Sequence, residues 1–94
     1  MKTKLSEEQK PTRMHNVLVA NEEDAMMLLQ EGSEQAFVLN QTSQLIWQLS
    51  DGETSIAEMI SLLENAFGAD DADIQSDVIE TITNLNSAGL LSIN

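Results

Sequence analysis

Apolar positions in the first half of the chain fall into three short runs, "VLVA" (17–20), "AMMLLQ" (25–30) and "AFVL" (36–39). The polar clusters "NEED" and "EGSEQ" separate them. Each run is too short for a helix of its own, and the separators have hairpin length, so the pattern predicts a three-stranded antiparallel meander. Ala and Met favour helix in the middle run. The Glu31-Gly32-Ser33 turn signal and the spacing decide for strand.

From Asn40 the period becomes helical. Thr42, Leu45, Ile46 and Leu49 recur at i, i+3, i+4 and i+7, with Asn40 as N-cap and Asp51-Gly52 as the stop. A second helix opens at Ser55, with Glu58 three residues on to complete a capping box. Its apolar stripe is Ile56, Met59, Ile60, Leu63 and Phe67, and Gly68 ends it. A third helix starts in "ADDAD", whose carboxylates suit the positive end of a helix dipole. Ile74, Val78, Ile82 and Leu85 form its buried stripe, Gly89 ends it, and "LLSIN" continues extended.

The predicted fold is α+β and winged-helix-like. A three-stranded antiparallel meander precedes three helices (βββααα), and a short C-terminal extended segment follows. Residues 1–15 are polar, aperiodic and broken by Pro11, and read as a flexible N-terminal tail; residues 16–94 form the domain. The strands alternate poorly. Met26 and Leu28 point opposite to Met27 and Leu29, so the sheet has apolar residues on both faces. One face meets the helices. The other calls for a tail, a partner or a second copy.

Charge changes the picture most. The 94 residues carry a formal net charge of −12. All four basic residues (Lys2, Lys4, Lys10, Arg13) lie before residue 14, and only Glu7 and Glu8 of the 16 acidic ones do. A body this anionic has no basic footprint for nucleic acid, which excludes a winged-helix DNA binder, and it is repelled by anionic membranes. It suits solubility or steering toward a basic partner. With no cysteine, disulfides and thiolate metal sites are excluded. The N-terminus lacks the apolar segment of a signal peptide, and no run approaches a membrane span, so a cytoplasmic protein is expected.

No catalytic constellation emerges. His15 stands alone beside the tail, and no glycine-rich phosphate loop occurs. "DDAD" (70–73) lacks the ligand spacing and closing glutamate of a calcium loop and reads as helix capping, so neither metal nor cofactor is expected. Met26, Met27, Met59 and Trp47 read as core. An acyl- or peptidyl-carrier role fails for want of an Asp-Ser-Leu attachment site at a helix start, since Ser50-Asp51 has the reverse order.

The ordered motifs "LNQTSQLIWQLSDGETSIAEM" (39–59) and "DVIETITNLNSAGLL" (77–91) resemble the PqqD-like family. The family consists of peptide-recognition domains used in making ribosomally synthesised, modified peptides. The match runs through Leu39-Asn40-x-Thr42, Ile46-Trp47, Asp51-Gly52, Ser55-Ile56-x-Glu58, Asp77-Val78 and Gly89-Leu90-Leu91. The resemblance implies a non-catalytic domain that binds the leader of a precursor peptide and presents it to a modifying enzyme, often a radical S-adenosylmethionine enzyme. The leader would add as a strand to the edge of the third strand, beside the third helix. On this chain that names Ala36, Phe37, Val38 and Leu39 as the edge. On the third helix it leaves two flanks: Ile79 with Thr83 and Asn86, or Asp77 with Thr81 and Asn84. The first is preferred for apolar anchoring. The alternative is a structural domain that packs as a homodimer through its two-sided sheet, with no peptide cargo.

Overall fold

Eight elements make up the computed structural model, which describes residues 6–23, 25–68 and 71–93, apart from the side chains of 71 and 72. The strands are β1 (Pro11–Arg13), β2 (Val17–Glu22), β3 (Ala25–Gln30), β4 (Ala36–Leu39) and β5 (Leu91–Ile93). The helices are α1 (Gln41–Leu49), α2 (Ile56–Phe67) and α3 (Asp71–Ser87). β2, β3 and β4 form the antiparallel meander in that order, and three helices follow, giving the winged-helix-like α+β arrangement. β1 and β5 form a separate antiparallel pair.

The helix signals act locally as their chemistry requires. Asn40 Oδ1 accepts from the Ser43 amide (2.9 Å) to open α1. At α2 the capping box is complete: the Ser55 hydroxyl accepts from the Glu58 amide, and the Glu58 carboxylate accepts from the Ser55 amide. Gly68 ends α2 in the left-handed region. Met26, Leu28 and Leu39 bring one sheet face to Ile46 and Trp47 of α1, the α2 stripe through Leu63, and Ile74, Val78, Ile82 and Leu85 of α3. Phe67 departs from the expected stripe. It lies at the last residue of α2 and is exposed. Met27 departs too: Met26 and Met59 are core, but Met27 is only half-buried, on the opposite sheet face. The capping role read from "DDAD" lies largely outside the described residues.

The tail expected over residues 1–15 is corrected from residue 6 onward. Residues 7–14 form a strap across the helical half. Glu7 and Gln9 carbonyls accept from the Ala57 and Ile56 amides, which a helix start otherwise leaves without partners. Pro11 is buried, and the Arg13 guanidinium donates to the Trp47 and Gln48 carbonyls at the end of α1 (3.2 and 2.8 Å). A polar, aperiodic sequence concealed this, because the interactions run mainly through the backbone.

The α1–α2 turn is tied to the strap. Amides of Glu53 and Thr54 donate to Asp51 Oδ1, and these bonds hold the Asp51 carboxyl below its ordinary pKa. Gly52 donates its amide to the Pro11 carbonyl (2.9 Å) at φ +83°, and an added Cβ would sit 2.8 Å from Thr12 Oγ1. Gly52→Ala is therefore expected to destabilise the fold by about 1–3 kcal/mol. That is a fall of roughly 4–8 °C in Tm per kcal/mol for a domain of this size, read by thermal melting.

Candidate functional site

β4 is four residues long and, among the described residues, pairs on one side only. The register shows which of its backbone groups are free. Just beyond the Val17–Gln30 pair, the Glu31 amide donates to the Asn16 carbonyl (2.7 Å). Hydrogen-bonded pairs alternate along an antiparallel ladder. On β3, therefore, Met27 and Leu29 turn N–H and C=O toward β2, while Met26 and Leu28 turn theirs toward β4. Their β4 partners are Leu39 and Phe37. The remaining residues, Ala36 and Val38, direct N–H and C=O out of the sheet at an open edge.

The side chains of β4 divide the same way. Leu39 is buried and Phe37 packs against the core, whereas Ala36 is exposed and Val38 is 67% exposed. The edge thus presents an unpaired backbone between a core-facing aromatic ring and an exposed valine.

β4 runs into α1 with only Asn40 between them, so the first turn of α1 lies at the end of the strand. There Asn40, Thr42 and Ser43 face Asp77, Glu80, Thr81 and Asn84 of α3 across a groove of about 250 Å³. Every lining residue is polar, two are carboxylates, and no lysine or arginine is among them.

This geometry separates the two flanks of α3. The groove beside the end of β4 takes the Asp77, Thr81 and Asn84 flank. Ile79 is partly buried at the rim of the core, in an open depression with Gln75, Ser76 and Glu80. Gln75 donates to the Glu7 carboxylate (2.7 Å), which turns this flank toward the strap. Asn86 is committed to the opposite end of the fold, donating to the Leu91 carbonyl (2.9 Å), and Thr83 is exposed. The structure therefore gathers Ala36, Phe37, Val38 and Leu39 on one edge but does not bring Ile79, Thr83 and Asn86 to the groove beside it. Asn40, read only as a helix cap, and Ser43 and Glu80 were not read from the sequence as groove residues. The absence of a loop between "AFVL" and the first helix was the available signal.

The fold recurs in solved structures. Lasso peptide synthetase B1 complexed with the leader peptide superposes with a TM-score of 0.77 at 24% identity, over 88% of this chain and 98% of that one. TbiB1 in complex with the TbiA(beta) leader peptide gives 0.74 at 20% identity, over 86% and 94%. The PqqD truncation of Methylobacterium extorquens PqqCD, a stand-alone recognition element for ribosomally synthesised and post-translationally modified peptides, gives 0.71 at 23% identity, over 87% of each chain. No curated protein matches the chain. The family model for coenzyme PQQ synthesis protein D matches residues 25–91, from the first residue of β3 to the first residue of β5. With that match spanning more than half its length, the chain belongs to the PqqD family.

Proposed function

We propose that this chain is a non-catalytic chaperone that captures the leader of a ribosomally made precursor peptide as an added strand on β4 and presents it to a modifying enzyme. The observation that carries this reading is the open edge of Ala36 and Val38 beside the groove of Asp77, Thr81 and Asn84. Two superposing structures hold a leader peptide, in line with the same use here.

Magnitudes indicate what the leader must supply. Backbone bonds from two N–H and two C=O groups contribute about 2–6 kcal/mol at about 0.5–1.5 each. Micromolar binding needs about 8 kcal/mol, and ordering a floppy segment costs more. Side chains close the gap: an apolar residue against Phe37 at about 1.5–3 kcal/mol, and a basic residue on the Asp77 and Glu80 carboxylates at about 1.5–3 kcal/mol for a charge-assisted hydrogen bond. The groove chemistry thus favours Asp77, Thr81 and Asn84 as peptide contacts in place of Ile79, Thr83 and Asn86. On this reading the chain works in the cytoplasm, where ribosomes supply the precursor, and its enzyme partner is of the radical S-adenosylmethionine class or another peptide modifier. Among the described residues no helix is long and apolar enough to cross a membrane.

Titration of the ¹⁵N-labelled chain with its cognate leader tests the reading. The Ala36 and Val38 amides should exchange freely before addition and become protected after it, while those of Phe37 and Leu39 are protected throughout. Saturating binding that leaves the β4 amides unshifted would remove the edge from the mechanism.

A further inference from the structure

The meander has a second face, turned away from the helices, which leader capture at the edge does not use. Directly opposed residues share a face, so the register defines its rows. One row is Leu18, Leu29 and Ala36, and the next is Ala20, Met27 and Val38. All six are apolar. Leu18 is 57% exposed, and Ala20, Ala36 and Val38 are exposed as well. Acidic residues border the face at both ends. Glu31 continues the face beyond Leu29, with Glu34 two residues before Ala36; Glu22 continues it beyond Ala20, with Glu23 in the adjoining turn. All four are exposed, and no lysine or arginine occurs after Arg13 to offset them.

We propose that this face is a second docking surface, for a protein partner that presents an apolar patch bordered by lysines or arginines. Contiguous exposed apolar side chains on a soluble domain mark an interaction site, and the acidic border selects the partner's charge. A second copy of the chain fits poorly. A two-fold dimer sets the same patch against itself, so Glu22 and Glu31 would meet like charges on a chain of net charge −12. An anionic membrane is repelled by the same border. The identity of the partner as the modifying enzyme rests on the reading above; the surface and its chemistry do not. The face is also continuous with the leader edge, because a strand added beside β4 extends the Ala20–Met27–Val38 row. An enzyme on this face would touch outward residues of the bound leader.

The test uses the full chain and the purified enzyme that modifies the cognate precursor, titrated with and without leader at low and high salt. Leu18→Asp places a charge on the β2 side of the exposed face, away from β4. It should weaken enzyme binding at least tenfold and leave leader affinity unchanged. The double variant Glu22→Lys, Glu31→Lys should weaken enzyme binding several-fold and flatten its salt dependence. Near-ultraviolet circular dichroism of the buried Trp47 reports that both variants are folded. Enzyme affinity unchanged in both folded variants overturns the proposal. So does sedimentation showing a wild-type dimer that Leu18→Asp dissociates, because the occupant is then a second copy. Loss of leader capture with enzyme binding intact and sensitive to Leu18→Asp leaves the surface standing and sinks only the edge reading.

Discussion

Val38→Pro is expected to lose leader binding while keeping its fold. Proline lacks an amide hydrogen and fixes φ near −65°, so inside a sheet it is tolerated only where the missing donor faces an open edge. The register puts the Val38 amide at that edge, so the substitution removes no β3–β4 bond. The valine side chain is 67% exposed, so its replacement opens no cavity. The leader, by contrast, loses a donor in the middle of a strand four residues long and meets a ring where it would approach. One bond at about 0.5–1.5 kcal/mol accounts for up to roughly tenfold. The ring's interference with the remaining ladder carries the effect beyond that. Isothermal titration of the cognate leader should therefore show at least a thirtyfold fall in affinity, against a Tm within a few degrees of wild type. Phe37→Pro is the internal contrast. The Phe37 amide serves β3 and its ring packs against the core, so that variant should lose stability by about 3–5 kcal/mol, whatever the leader does. Unchanged leader affinity in a folded Val38→Pro chain would mean that the peptide is held elsewhere.

The contrast between neighbouring residues of one strand marks what the sequence could disclose. That "AFVL" is a strand, and that Phe37 and Leu39 share a face, follows from period-two geometry. Which amide points outward depends on pairing phase, and phase enters through Asn16 and Glu31, which lie outside the strand. The helices were legible because each carries its own evidence: the Ser55–Glu58 box, Gly68 at the end of α2, and a stripe on α3 whose four members are all buried. That stripe says which way α3 faces inward. It cannot say which neighbour lies to either side, because Ile79 and Asp77 flank it symmetrically. Apolar character favoured Ile79, but Ile79 serves the rim of the core, and the groove took the polar flank. The outer face of the meander was foreseeable from "MMLL", where adjacent apolar residues must point opposite ways; the acidic border needed the register.

Deleting residues 1–13, so that the chain begins at Met14, is expected to unfold it or leave it barely stable. In sequence this segment is the least structured part of the protein. In the fold it supplies four backbone bonds to the helical half: Ala57 to Glu7, Ile56 to Gln9, Gly52 to Pro11 and Arg13 to Ser50. It also supplies β1, the partner of β5, and two guanidinium bonds to the end of α1. At about 0.5–1.5 kcal/mol per bond, less the entropy of holding the strap in place, the net loss is about 3–6 kcal/mol. A domain of this size has about 5–14 kcal/mol in all. The damage is also concentrated. With the strap gone, the Ile56 and Ala57 amides lose their partners, the α1 carbonyls lose their cation, and β5 loses its partner, so α1 and α3 are no longer held at the ends away from the groove. Urea denaturation followed by Trp47 fluorescence should show a midpoint lowered by half or more, and leader affinity should fall with it even though no groove residue has changed. Arg13→Ala alone should cost about 1–2 kcal/mol. A truncated chain that melts within a few degrees of the full one would show that residues 1–13 are the dispensable tail their composition suggests, and that the helical half closes the groove without them.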